Sequence, residues 1–178
     1  MEMGPNRQKD DFYPTPPEAT LALLDAESFG EGTVWECACG DGAVSSVLKD
    51  KGYKVYSSDL NDYGFGLSYV DYLMTVKPDD NIQSVITNPP YKLAKEFILR
   101  TFDYDIPKSA FLLRLSFLES ISRYDQLFKD NPPIRIHVFK KRLTIWRGDE
   151  TRAGNGTVAY AWFIWEKGFS GNPEIFWI

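Results

Sequence analysis

Four short stretches of this 178-residue sequence carry side chains whose types and spacing suit chemistry. The most informative is Asn88-Pro89-Pro90-Tyr91, directly after an apolar run that ends at Thr87. Two consecutive prolines can continue neither a strand ladder nor a helix, and they lock the backbone. They hold the Asn88 side-chain oxygen and the Pro89 carbonyl as two fixed acceptors beside the Tyr91 ring. Such a pair suits a planar amine. The lone pair of that amine is delocalised into its ring or carbonyl, and hydrogen bonds to both N–H groups help to localise it as the nitrogen attacks. A rigid surface turn is the plainer use of the same residues.

The other three stretches suit ligand binding. Glu36-Cys37-Ala38-Cys39-Gly40-Asp41-Gly42 sets glycines between an apolar run and a helical pattern. There the backbone can approach a ligand, and the helix N-terminus offers N–H groups. It is not the dinucleotide pattern G-x-G-x-x-G, and a glycine turn also serves as a tight connection. Asp59 lies about 20 residues past this turn at the end of the next strand pattern, a position from which a carboxylate binds ribose hydroxyls. A solvated helix cap is its alternative. Asp71 follows a loop rich in Gly and Tyr; it can receive the exocyclic amine of an adenine ring, or simply make a surface turn.

The elements that must position these groups follow from periodicity and punctuation. Thr15 is the expected N-cap of a first helix, with Pro16 in its first position and Glu18 completing a capping box; Ala19, Ala22, Leu23 and Ala26 form its apolar face. Thr33–Cys37 is predicted as a strand and Ala43–Asp50 as a helix, with Val44, Val47 and Leu48 inward and Gly52 at its end. Lys54–Ser58, Gln83–Thr87 and Ser109–Leu115 are predicted strands, and Leu93–Thr101 and Ile121–Phe128 predicted helices. This alternation indicates an α/β fold with a mostly parallel sheet covered on both faces. Ile134–Phe139, Arg142–Trp146 and Val158–Trp165 are β-rich, and the last two are expected to pair antiparallel at one sheet edge. The polar loop Arg147–Thr157 between them is expected to be mobile.

Composition narrows the functional classes. With 43% hydrophobic and 15% aromatic residues the chain can bury a sizeable core. Cys37 and Cys39 lie too close to staple a fold, and with His137 as the single histidine no zinc set forms. A reduced, cytoplasmic protein without metal is the expectation. No long apolar run marks a membrane span, and the polar start does not form a signal peptide. The formal charge of −5 argues against coating nucleic acid by charge alone. A local positive stretch stands out: Arg135, Lys140, Lys141, Arg142, Arg147 and Arg152 against Asp149 and Glu150. It suits phosphate contacts, or the protection of a strand edge by lysines.

Together these residues resemble class I S-adenosylmethionine-dependent methyltransferases, and specifically the N6-adenine DNA methyltransferases, including short phage-encoded members. The resemblance runs through nearly the whole chain. It implies a single Rossmann-like methyltransferase domain, with a mostly parallel seven-stranded sheet, an antiparallel β-hairpin at one edge and helices on both faces. The segment Asp11–Pro16 is similar to the family's N-terminal cofactor segment, which puts Tyr13 and Thr15 near the methionine part of S-adenosylmethionine. Glu36 to Gly42 resembles the E-P-x-x-G-x-G turn, implying cofactor contacts from Glu36, Cys37, Ala38, Gly40, Asp41 and Gly42, with Cys37 where the family has proline. Asp59, with Leu60, resembles the ribose-binding acid, and Asp71, with Tyr72, the adenine-side acid. Asn88, Pro89, Pro90 and Tyr91 resemble the catalytic tetrapeptide; Asn88 also borders the cofactor and Tyr91 stacks on a flipped base. Arg142–Trp165 resembles the closing hairpin, so Trp146 is a candidate second aromatic wall and Lys140, Lys141 and Arg142 candidate phosphate contacts.

The implied reaction is methyl transfer to the N6 amine of adenine in DNA. RNA adenine and a protein glutamine amide are its rivals among substrates, and a non-catalytic cofactor-binding subunit is the rival of another class. Residues 1–11 are expected to form a mobile arm and 12–178 one domain lacking a separate target-recognition domain. A homodimer or a separate recognition subunit would then supply what one domain does not.

Overall fold

Apolar runs separated by glycine and proline turns pair into one seven-stranded sheet, which a computed structural model describes through residues 13–145 and 158–178. In chain order the elements are α1 (Pro17–Ala26), β1 (Thr33–Glu36), α2 (Ala43–Asp50), β2 (Lys54–Ser57), β3 (Ile82–Thr87), α3 (Ala94–Asp103), β4 (Lys108–Arg114), α4 (Ile121–Arg123), β5 (Arg135–Val138), β6 (Tyr160–Glu166) and β7 (Glu174–Trp177). Their spatial order is β2-β1-β3-β4-β6-β5-β7. The first four run parallel, β6 is antiparallel to both β4 and β5, and β7 is parallel to β5. Strand order reverses at β1, so a crevice opens at the carboxyl ends of β1 and β3.

Side chains alternate along each strand between two apolar layers. Trp35, Val85 and Phe111 pack with Phe97 and Ile98 of α3 on one face. Val34, Ile86 and Leu112 pack with Leu23 of α1 and Leu48 of α2 on the other. Burial on both faces is why the central strands are unbroken apolar runs in sequence. Among the described residues no helix is long and apolar enough to cross a membrane.

Several expected elements differ. The capping box does not form: α1 begins at Pro17, its N-cap is Pro16 without a side-chain cap, and the Thr15 hydroxyl is used elsewhere. Ala26 is exposed and Val47 half-buried, while Thr20 and Ser45 take buried places on α1 and α2. Leu93 closes a separate turn over Tyr91–Leu93 before α3. The helix expected over Ile121–Phe128 is one turn, α4, running into a wider turn over Tyr124–Phe128. Residues 142–145 form no strand, and Trp146 lies outside the described residues, as do residues 1–12 and the loop to Thr157. The sheet does carry an antiparallel hairpin, but β5 and β6 make it: β6 has β4 on one side and β5 on the other, so residues 142–145 do not pair with it as expected. Leu143 and Ile145 pack into the α1 layer instead. The sheet edge is made by β7, which the sequence pattern did not single out.

At the end of the sheet away from the crevice, one acid joins four elements. Glu27, the C-cap of α1, is buried. Its carboxylate accepts from Lys108 of β4 at 2.6 Å, from Arg135 of β5, and from His137 at 2.7 Å. Glu166 of β6 completes the cluster through Lys108 and Arg135. Burial alone would push the Glu27 carboxyl up, but the hydrogen bonds from His137, Arg135 and Lys108 hold it well below the ordinary carboxylate range. A depressed carboxylate stabilises the fold above the ordinary pKa, and this contribution is lost as pH falls. Removing one member of a buried ion cluster strands its partners. Glu27→Gln should therefore cost about 3 kcal/mol of unfolding free energy at pH 7 in urea titrations. Its deficit against the wild type should shrink as the medium is acidified; a constant deficit would contradict the ionised cluster.

Candidate functional site

The four stretches converge at the crevice. A cavity of about 290 Å³ there is walled by Tyr13 and Thr15, the turn from Glu36 to Asp41, Asp59 with Leu60, Asp71 with Tyr72, and Asn88. Of the thirteen residues expected to touch a cofactor, Gly42 alone does not line it. Gly42 is instead a structural glycine: at φ 85° it caps α2, and a Cβ there would meet the Phe65 ring at 2.6 Å. Asp59 closes the turn, its Oδ2 accepting from Gly40 N–H and its Oδ1 from Asn61 N–H, both at 2.9 Å. Asp41 is exposed and accepts from Ala43 N–H at 3.2 Å. Asp71 accepts from Leu73 N–H at 2.9 Å. Asp59 and Asp71 thus reach the cavity with carboxylates already steadied by backbone.

Glu36 is the buried acid of the turn. It accepts from the Ser45 hydroxyl, which also meets the Ser57 hydroxyl at 2.6 Å. Burial, aided by the charges of Asp41 and Asp59 against the Ser45 hydrogen bonds, pushes its carboxyl up to about 8. Burial and the Glu36 charge likewise push up both neighbouring thiols, that of Cys39 to about 12. Neither cysteine is then a nucleophile at neutral pH. Tyr72 presents one edge to the cavity, but its hydroxyl meets Thr101 Oγ1 at 2.8 Å and its ring packs on Trp35 and Phe97. Its main place is the core.

Asn88 stands at the end of β3. Its Nδ2 donates to the Tyr13 carbonyl at 3.3 Å and to Thr15 Oγ1 at 3.1 Å. Its Oδ1 is buried and has no hydrogen-bond partner among the described residues. The tether thus fixes the amide with its acceptor unspent. Pro90 joins the cavity wall, and Pro89 is buried beneath. Tyr91 turns away from that cavity. Its ring lies 6.4 Å from Tyr13 in a stacked arrangement, 6.0 Å from Tyr160, and beneath the Arg114 guanidinium. Its hydroxyl is buried and has no hydrogen-bond partner among the described residues, and burial together with Tyr160 raises the phenol well above its ordinary range.

The positive stretch divides. Arg135 is spent on Glu27 and Glu166 and is not available to a phosphate. Lys140, Lys141 and Arg142 are exposed just past β5, at the same end of the sheet as the crevice. His137 is a buried strand residue hydrogen-bonded to Glu27. Arg114 was missed, although a lone charge ending an apolar strand pattern at the ligand edge is a signal of its kind. Among the described residues no group of three or more His, Cys, Asp or Glu is placed to hold a metal ion.

No family model matches the chain, and no curated protein matches it in sequence. Among solved structures it is similar to a Pyrococcus horikoshii protein described as an RNA methyltransferase, with a TM-score of 0.61 and 12% identity over 84% of this chain and 81% of that one. The fold is that of the Rossmann-like methyltransferases. An Agrobacterium tumefaciens protein described as an O-methyltransferase gives 0.61 and 13% over 91% and 85% of the two chains. A modification subunit of a type I restriction enzyme from Vibrio vulnificus YJ016 gives 0.58 and 12%; 96% of this chain matches, spanning 48% of that subunit. At these identities the likeness is one of fold.

The buried Glu36 carboxyl yields a test of the site's electrostatics. A carboxyl raised in the folded state favours folding while protonated, and this contribution is lost as pH rises from about 4.5 through about 8. Thermal midpoints of the wild type should fall over that interval more steeply than those of Glu36→Gln, which stays neutral throughout. Parallel curves would mean that Glu36 is ionised in the native protein.

Proposed function

We propose that this protein is an S-adenosylmethionine-dependent N-methyltransferase whose acceptor is the exocyclic N6 amine of adenine in DNA. The observation that carries the proposal is Asn88: an amide anchored through its nitrogen, with a buried, unpartnered oxygen at the mouth of the cavity. Buried polar atoms are nearly always paired, so an orphaned acceptor at a strand end marks a place for a donor that arrives with a ligand.

The residues present fit the cofactor. In this reading Asp59 takes the ribose hydroxyls and Asp71 the adenine amine, the Glu36–Asp41 backbone allows close approach, and Tyr13 and Thr15 border the methionine part. When bound, the cofactor supplies an electrophilic methyl group on a positively charged sulfur. The protein's own task is to present the acceptor. Asn88 Oδ1 and the Pro89 carbonyl accept the two N–H groups of the amine, localising its lone pair as the nitrogen pyramidalises. Neither oxygen is a base, so the proton released after transfer goes to water. Tyr91 offers its ring to the acceptor base, and Lys140, Lys141 and Arg142 offer charge for phosphates beside it.

RNA adenine is the second reading, supported by the likeness of fold to the Pyrococcus protein described as an RNA methyltransferase. Transfer of a radiolabelled methyl group to DNA, RNA and protein in parallel tests the acceptor class; labelled DNA adenine is the expected product. Asn88→Ala should lower kcat roughly 100-fold, as removing one transition-state hydrogen bond does, and leave the affinity for the demethylated cofactor nearly unchanged. An equal loss of that affinity would assign Asn88 to the cofactor instead.

Asp59→Ala addresses the other half of the site. It should cost about 1.5–3 kcal/mol of cofactor binding by calorimetry, the range for hydrogen bonds to a charged group. Unchanged binding would remove Asp59 from the site.

A further inference from the structure

Arg114 ends β4, and so reaches the same edge of the sheet as Asn88. Its guanidinium carbon lies 4.9 Å from the centroid of the Tyr91 ring. Among the described residues its buried Nε has no hydrogen-bond partner and no ion pair joins it. A partly desolvated guanidinium of this kind is costly unless a ligand supplies the missing acceptor.

The space beside it is a second cavity, of about 220 Å³, which Tyr91 lines and which shares no lining residue with the first. Lys92, Arg114 and Arg123 line it, together with the Tyr91 and Phe117 rings, and among the described residues no acid does. Arg123 is held rigidly: its Nε donates to the Phe117 carbonyl at 2.7 Å and its terminal nitrogen to Ser116 at 3.1 Å. It is therefore fixed in place by the carbonyls of Phe117, Ser116 and Glu119 and by the Phe117 ring, whose centroid lies 5.0 Å from its guanidinium carbon. The same segment exposes Leu118, Ile121 and Tyr124, an apolar surface for bases to lie against. Three cations, no acid and aromatic walls suit an anion attached to a planar ring.

Asn88 and Tyr91 belong to one locked turn, with the first cavity at Asn88 and the second at Tyr91. A nucleotide laid across this turn puts its amine at Asn88 and its anionic end at Arg114. The geometry points to the second cavity as the seat of the acceptor nucleotide's phosphate, with Arg114 as the residue that positions it. The planar fork of the guanidinium matches a phosphate with two parallel hydrogen bonds, which a lysine cannot reproduce. This deepens the adenine reading and rests on it.

Fluorescence anisotropy with a labelled, adenine-containing single-stranded DNA oligonucleotide, run over a salt series, tests the assignment. Arg114→Ala should weaken binding about tenfold. It should also lower the slope of log affinity against log salt by about 0.7, the value for one phosphate on a single strand. Arg114→Lys should keep the slope and recover part of the affinity, while calorimetry with the demethylated cofactor shows both variants folded. Lys167→Ala is the control, because Lys167 pairs with Asp105 near the opposite end of β4. Wild-type affinity and slope in Arg114→Ala would overturn the assignment and leave the adenine reading intact wherever the wild type still methylates DNA. Arg114-dependent binding of inorganic phosphate, with oligonucleotide binding indifferent to Arg114, would make this a free-anion site and also overturn it. A wild type that neither binds nor methylates DNA or RNA would end the adenine reading, and this assignment with it.

Discussion

Strand order reverses at β1, and every candidate group depends on that reversal. A parallel sheet wound in one direction would leave its strand ends covered by successive connections. Here β2 lies on one side of β1 and β3 on the other, so the turns that follow β1 and β3 part from each other. The first turn becomes the Glu36–Gly42 loop and the second the Asn-Pro-Pro-Tyr corner. Neither could face the other across open space if the connections ran the same way.

The two ends of the sheet handle buried acid in opposite manners. Glu27 sits among Lys108, Arg135 and His137 and stays ionised, binding α1 to β4 and β5 at the end of the sheet away from the crevice. Glu36 has serine hydroxyls for company and negative neighbours, and burial raises it toward neutrality at the end where the cavity opens. The first arrangement secures the frame. The second leaves the cavity without a lining cation among the described residues, so that its carboxylates and orphaned oxygen face whatever enters.

Local grammar made much of this legible in the sequence. The strand, glycine turn and helix from Thr33 to Asp50, the acid ending β2 and the Asn-Pro-Pro-Tyr corner are each set by residues within a few positions of one another, and the structure places them as expected. Three of the misses were questions of partnership at a distance. Thr15 has an N-cap's chemistry, yet an asparagine 73 positions away claims its hydroxyl. Arg135 had the charge for a phosphate contact and was claimed by Glu27, 108 positions earlier. Residues 142–145 have a strand's composition, but both flanks of β6 were already taken. The β7 edge, Ile175-Phe176-Trp177 after the Gly171-Asn172-Pro173 turn, was within reach of the same punctuation rules that found the other strands.

The tether of Asn88 to Tyr13 and Thr15 also orders events in time. It closes loops of 75 and 73 positions, whereas α1 and α2 form from residues close in sequence. Loop-closure entropy makes such a contact expensive until the sheet has brought its ends together. The frame can therefore assemble around an asparagine that still rotates freely. Its orientation is acquired when the segment before α1 docks, and fraying of that short segment releases it again without parting a single pair of strands.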